Sequence, residues 1–335
     1  MAAFERNVSA TIDSEMKQLS IFISIILLIL LSACQTEATP LYPPATATPT
    51  LLLRPAIQPG DGTDLLDRLL ERGVIRVGVR VWPEADFAPP AFRGFSESSI
   101  SRALNGFEID IARQLAAGMG LELELIEANP HVIISGDWRG SWDIAMASLA
   151  PFDQPLTNSS AQNMVYSIPY GYMPMGLLLP AGEDDIQTLA QLSGKKVGVL
   201  EHSAYQRLLT PEEWPLTIQG QNLMPQPPAD IQLIIVSNLI KDIRQLGQPE
   251  PDLDAIFGPS PILRSAIERD IPVKLAAEAE VVGYQPMVIA TVPQEGLKVE
   301  RLIGEINTIL IRLERQGTLS EIYLDWYNQD LSQVP

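Results

Sequence analysis

Residues 105–120 (NGFEIDIARQLAAGMG) constrain the fold of this chain more than any other stretch. Ile111, Leu115 and Ala116 recur at helical spacing with Ile109 and Ala112 beside them, while Glu108, Asp110, Arg113 and Gln114 fall mostly elsewhere. Gly118 and Gly120 follow the last periodic residue, where a helix ends. Residues 121–126 (LELELI) then show a period-two strand pattern, and residues 74–80 (VIRVGVR) form an earlier apolar run bounded by Gly73. Strand, long loop, helix, strand is a βαβ unit, which predicts an α/β fold with a parallel sheet. Ligands of such sheets sit outside the carboxyl ends of the strands, here the loop after Arg80.

A chain of 335 residues can hold two lobes with separate cores. Its 41 acidic and 23 basic residues give a formal charge of −18 without a basic stripe, which argues against nucleic acid or an anionic membrane surface as a partner. The single cysteine, Cys34, excludes an intramolecular disulfide and a Cys-based zinc cluster. His131 and His202 are far apart and lack local metal-ligand spacing, so neither metal nor cofactor is expected.

Residues 19–31 are an almost unbroken apolar run behind Lys17, short for a membrane span and suited to the core of a secretory signal. Glu5, Asp13 and Glu15 make a poor leader ahead of it, which points to Met16 as an alternative start. The run ends Leu31-Ser32-Ala33-Cys34, which resembles the lipobox of bacterial lipoproteins. That resemblance implies cleavage before Cys34 and a lipid anchor on its thiol; a signal anchor with an incidental cysteine is the alternative. Residues 35–62 are rich in Pro, Thr and Ala and read as an extended tether.

Residues 64–72 (DLLDRLLER) read as a short amphipathic helix stopped by Gly73. The loop after Arg80 carries Trp82, Phe87 and Phe92 around Pro89-Pro90; such aromatics either stack on a ligand or pack the loop down. Residues 142–150 (WDIAMASLA) read as a buried strand entering a loop that holds Ser148. Gly194-Lys195 is not a phosphate loop, because Leu189 and Lys196 occupy the positions of its earlier glycine and its hydroxyl residue. Beyond it, strand and helix patterns repeat through residues 231–258, and a long helix over 297–316 precedes a closing one.

Five motifs in order resemble the extracellular solute-binding proteins of family three, the amino-acid receptors of ABC importers. They are Gly106-Phe107-Glu108-Ile109-Asp110, Pro89-Pro90-Ala91-Phe92, Tyr166-Ser167-Ile168-Pro169-Tyr170, Gly194-Lys195-Lys196-Val197-Gly198-Val199, and Gly317-Thr318-Leu319 with Ile322, Tyr323 and Trp326. The resemblance implies a two-lobed periplasmic-binding-protein-like fold of type II, with a second lobe inserted into the first and two hinge crossings. It also implies a monomer, anchored outside the cytoplasm at the cell envelope, that captures a small polar solute and passes it to a permease in the membrane. Expected boundaries are 1–33 for the signal, 34–63 for the lipidated tether, 64–176 and 286–335 for lobe one, and 177–285 for lobe two.

The departures from that pattern bear on the ligand. Amino-acid receptors of the family hold the α-carboxylate with an arginine where this chain has Ser160, and the α-ammonium with an aspartate where it has Pro259. Charge-assisted hydrogen bonds contribute roughly 1.5–3 kcal/mol each. Losing both clamps would cost roughly two to four decades of affinity at about 1.4 kcal/mol per decade. Ala150 stands in place of a first-lobe threonine, and His202 in place of a glycine before the second-lobe hydroxyls. Arg80, at the end of the first strand, is a candidate relocated anion clamp or else a solvated surface arginine. The remaining candidate ligand-binding residues are Trp82, Phe87, Ser148, His202, Ser203 and Ser260, with no catalytic residue expected. A sensor without transport, or a dehydratase-like enzyme on the same scaffold, are the competing functions. Adjacent strand residues such as Glu201, His202 and Ser203 point to opposite faces and do not make a catalytic triad.

Overall fold

The computed structural model describes residues 57–83, 87, 89–94, 103–138, 140–154 and 163–334. The apolar run 19–31, the alternative start Met16, Cys34, most of the Pro-rich tether and Ser160 lie outside the described residues. The first half of the folded body comprises α1 (Leu65–Arg72), β1 (Val74–Val79), α2 (Phe107–Met119), β2 (Glu122–Glu127), α3 (Pro130–Ser135), β3 (Ile144–Leu149) and β4 (Gly171–Pro180). Then follow β5 (Lys196–Leu200), α4 (Ala204–Leu209), β6 (Gln232–Val236), α5 (Leu239–Leu246), β7 (Ala255–Pro259), α6 (Ser260–Ile267), β8 (Gly283–Thr291), α7 (Glu300–Arg315) and α8 (Thr318–Tyr327).

Strand order decides the architecture. β1 runs parallel to both β2 and β3, with Val77 opposite Leu125 and Ile144. β5 likewise runs parallel to β6 and β7, with Val199 opposite Ile235 and Phe257. Between these triplets β4 and β8 pair antiparallel, Met173 facing Gln285. β4 then continues against β7, and β8 against β3. The result is two α/β lobes, the second inserted into the first, joined by two crossing strands. Core membership changes along the crossings: Met173 and Met287 belong to a cluster with Val77, Ile111 and Ile306, whereas Met175 and Leu177 pack with Val199 and Phe257.

Local chemistry explains the helices. Asp64 caps α1 by accepting from Leu66 N, and it also accepts from Arg301 N and Leu302 N at 3.0 and 3.2 Å, so one buried carboxylate caps α1 and α7 together. α2 ends on Gly120 at a φ of 72°, where the sequence places its stop. Gly106, just before α2, has a φ of 132°, and a side chain there would meet Pro90 O at 2.1 Å. α3 was not expected; Asn129 caps it by accepting from His131 N. Residues 57–63, read above as the end of the tether, lie against α1, with Gly60 N and Gly62 N donating to Asp67. Among the described residues no helix is long and apolar enough to cross a membrane.

Two first-lobe segments reach into the second lobe. Trp82 and Phe87, on the loop after β1, pack into a cluster with Leu178, Leu200, Val236, Leu239 and Ile262. Phe87 is 1% exposed, and the guanidinium carbons of Arg244 and Arg269 lie 5.8 and 5.5 Å from its ring centroid. Its expected role as a ligand-stacking residue is therefore not what its placement provides: the ring packs the loop down onto the other lobe. After β3, Phe152 is buried in the second-lobe core with the Arg207 guanidinium 4.8 Å above it. Asp153 beside it accepts from Thr217 Oγ1, Gln219 N and Gly220 N at 2.8, 2.9 and 2.8 Å.

Removing a buried aromatic from such an anchor leaves a cavity. Phe87→Ala is expected to lower stability by about 3 kcal/mol. Urea unfolding checks this, and a loss within about 0.5 kcal/mol, the range of surface substitutions, would mean that the ring is not an anchor.

Candidate functional site

The two parallel triplets aim the carboxyl ends of their strands at one cleft. Arg80 follows β1, Ser148 lies at the end of β3, Glu201, His202 and Ser203 follow β5, and Pro259 ends β7. The cleft encloses about 930 Å³ including its open mouth, and Arg80, Trp82, Glu108, Ser148, His202, Ser203 and Pro259 are among the residues that line it. The sequence separates these groups by up to 179 positions; the crossing strands bring them together.

Beneath the cleft lies Glu108, fully buried in the first turn of α2. Helical periodicity sets it apart from the apolar positions, and in the structure its Oε1 accepts from Ser148 N, Ser148 Oγ and Tyr170 OH at 2.5, 2.9 and 2.6 Å. Ser148 holds a φ of 49°, a conformation that L residues rarely adopt, and its carbonyl accepts from Gln285 Nε2 at 2.5 Å. Glu108 Oε2 has no partner and no contact with solvent. Burial pushes the Glu108 carboxyl above its ordinary 4.5, opposed by the donors from Tyr170 and Ser148 and by the nearby Arg80 charge.

Arg80 is half-buried and spans the lobes. Its Nη1 donates to Glu201 O at 2.8 Å and His202 O at 3.2 Å, and its guanidinium carbon lies 5.9 Å from the Trp82 ring. Burial lowers its pKa to about 10, which leaves it a cation at neutral pH. His202 takes the place where the sequence pattern asks for glycine, and the structure gives the reason for that preference: its φ is 51°. Its backbone N donates to Gln206 Oε1 at 2.7 Å, and its ring lies 5.0 Å from the ring of His131 on α3. Burial lowers the His202 pKa, opposed by Glu201, whose Oε1 is 3.5 Å from Nε2. No group of three His, Cys, Asp or Glu residues is arranged to hold a metal among the described residues.

Of the residues singled out from sequence, Arg80, Trp82, Ser148, His202 and Ser203 share this cleft, while Phe87 and Ser260 are not among its lining residues. Ser260 opens α6 and donates from Oγ to Glu280 O at 2.6 Å. Ser203 caps α4, accepting from Gln206 N and donating from Oγ to Leu200 O at 2.5 Å. Sequence reasoning missed Glu108 and Tyr170 as site residues, and it missed the approach of His131 to His202. The glutamate inside the Gly106-Phe107-Glu108 motif was the available signal.

The Glu108 carboxyl titrates with a sign fixed by its burial. A folded pKa above the unfolded one means that its contribution to stability is complete below the ordinary 4.5 and is lost as pH rises through the folded value. Glu108→Gln abolishes that titration, so the melting temperature of the unmodified chain should fall relative to the variant as pH rises above the ordinary 4.5. A constant gap between the two melting curves across that range would contradict the assignment.

Residues 79–329 match the bacterial extracellular solute-binding proteins, family 3. The membrane-bound lytic murein transglycosylase F of Desulfosudis oleivorans is 26% identical over 225 residues, which are 66% of this chain and 44% of that protein. This chain therefore spans less than half the length of that relative. The L-cystine-binding protein of Escherichia coli K12 is 23% identical over 278 residues, 80% of this chain and 88% of its own. Among solved structures, an amino acid ABC transporter substrate-binding protein from Streptococcus pneumoniae, bound to L-arginine, superposes with a TM-score of 0.60 at 17% identity, over 80% of this chain and all of that one. At that identity the structural match speaks for the two-lobed fold alone. The family match covers most of the folded body, and the chain belongs to the bacterial extracellular solute-binding proteins of family 3.

Proposed function

We propose that this protein is a receptor outside the cytoplasm that captures a small solute between its lobes and delivers it to an ABC permease, tethered to the membrane through lipidated Cys34. The observation that carries this reading is the convergence of Arg80 and Ser148 from one lobe with His202 and Ser203 from the other at strand carboxyl ends. Each lobe supplies half of the polar groups, so a bound solute favours the closed arrangement over the open one. The change of core along the crossing strands, Met173 and Met287 in one cluster and Met175 in the other, supports hinges between Met173 and Met175 and between Gly283 and Met287. Relatives named for cystine and arginine make amino-acid-sized solutes the first class to test.

Arg80 is the candidate clamp for the anionic end of the solute, with Ser148 and Trp82 on the first-lobe side. Binding without turnover is the better-supported chemistry, because the Ser203 hydroxyl is committed to Leu200 O and is not aimed at His202 as a base. The transglycosylase relative extends well beyond the region it shares with this chain, so its activity does not transfer.

Melting curves of the purified protein against amino acids, carboxylates, polyamines and short peptides test the proposal. A true ligand at about a hundred times its dissociation constant should stabilise by about 2.7 kcal/mol. That shift should disappear in Arg80→Ala, and chromatography should recover the ligand unchanged. Product formation, or silence across the whole panel, would sink the receptor reading.

A further inference from the structure

We infer that the cleft selects a solute with one carboxylate on an apolar, ring-sized body and no ammonium group. This rests on the receptor reading above and narrows it. Two guanidinium groups line the cleft, and only one is open. Arg207 is spent: its Nε bonds Glu213 Oε2 at 2.6 Å, its Nη2 donates to Gln154 O at 2.6 Å, and its face covers Phe152. Arg80 donates from Nη1 alone to the Glu201 and His202 carbonyls, and its other N–H groups have no partner among the described residues. A guanidinium with a free edge beside an indole suits a planar carboxylate carrying a ring.

An ammonium finds no equivalent partner. Glu108 is the carboxylate among the lining residues, and its Oε1 is committed to Ser148 and Tyr170 while Oε2 is sealed from solvent contact. Glu201 is turned toward His202 and is not among the lining residues. The backbone carbonyls of Glu201 and His202 already receive Arg80, and Pro259 offers no side-chain acceptor. The other polar side chains of the lining carry no negative charge: Ser148 Oγ donates to Glu108, Ser203 Oγ donates to Leu200 O, and His202 is an imidazole, while Trp82, Leu149, Met164 and Leu200 make much of the remaining wall apolar or aromatic. An ammonium drawn into these surroundings loses its hydration and gains no counter-charge.

Matched pairs differing only in the α-ammonium isolate the point. Isothermal titration of the purified full chain would compare L-phenylalanine with 3-phenylpropionate and L-tryptophan with indole-3-propionate. Arginine, glutamine and cystine serve as polar controls, and 2-phenylethylamine as a carboxylate-free one. Each deaminated acid is expected to bind at least tenfold tighter than its amino acid, a gap of about 1.4 kcal/mol. Arg80→Gln should weaken the acids at least tenfold. Arg80→Lys, which keeps the charge and loses the fork, should fall between, and it decides the matter if Arg80→Gln does not fold. Equal or tighter binding of the amino acids or the amine, or binding confined to the polar controls, overturns the solute class and leaves the receptor reading standing. Heat from none of the compounds overturns the receptor reading, and the class with it.

Discussion

The carboxylate of Glu108 is the interaction on which the geometry of the cleft depends. It sits in the first turn of α2, where the helix dipole favours negative charge, and its Oε1 gathers Ser148 N, Ser148 Oγ and Tyr170 OH. Those donors come from the end of β3 and from the entry to β4, so one oxygen atom fixes a helix, a strand end and a crossing strand relative to one another. Ser148 can keep its φ of 49° because this carboxylate over-determines it, and its carbonyl in turn holds Gln285 on the other crossing strand. Gly106 belongs to the same construction. Only a residue without a side chain lets α2 begin directly under Pro90.

The lobes are held by more than their two crossing strands. Phe87 and Phe152 leave the first lobe and end in the apolar interior of the second, and Asp153 gathers backbone and hydroxyl donors there. Buried aromatic rings contribute far more to such a contact than exposed ion pairs do. Arg80 adds a polar link to the carbonyls of Glu201 and His202. The contact between the lobes thus draws on packing at the flanks and on a guanidinium at the centre, a group that also lines the cleft.

The parallel pairing, α2 and its stop at Gly120, and a cleft at the strand ends are legible in the sequence, because each follows from local periodicity and turn chemistry. The failures share a different cause. Glu108 falls off the apolar positions of the helical repeat, and periodicity has no means of telling a buried charge from a solvated one; only its tertiary donors make burial tolerable. Phe87 read equally well as a stacking or a packing residue, since a loop carries no periodicity to separate the two; the second-lobe cluster decides for packing. His131 and His202 lie 71 positions apart and meet only because α3 and the loop after β5 face each other, which no local spacing encodes. The departure at His202 was visible as a missing glycine, and its φ of 51° shows what that glycine would have supplied.

Net charge and local charge act on a solute over different distances. The chain carries a formal charge of −18, which on its own would repel an anion. At physiological ionic strength that repulsion is screened beyond about 8 Å, whereas a half-buried guanidinium inside an apolar cleft is screened far less. An anionic group therefore gains its attraction only after it has entered, among Trp82, Ser148 and the free edge of Arg80. Long-range steering by the net charge therefore contributes little to the approach of an anion to the cleft.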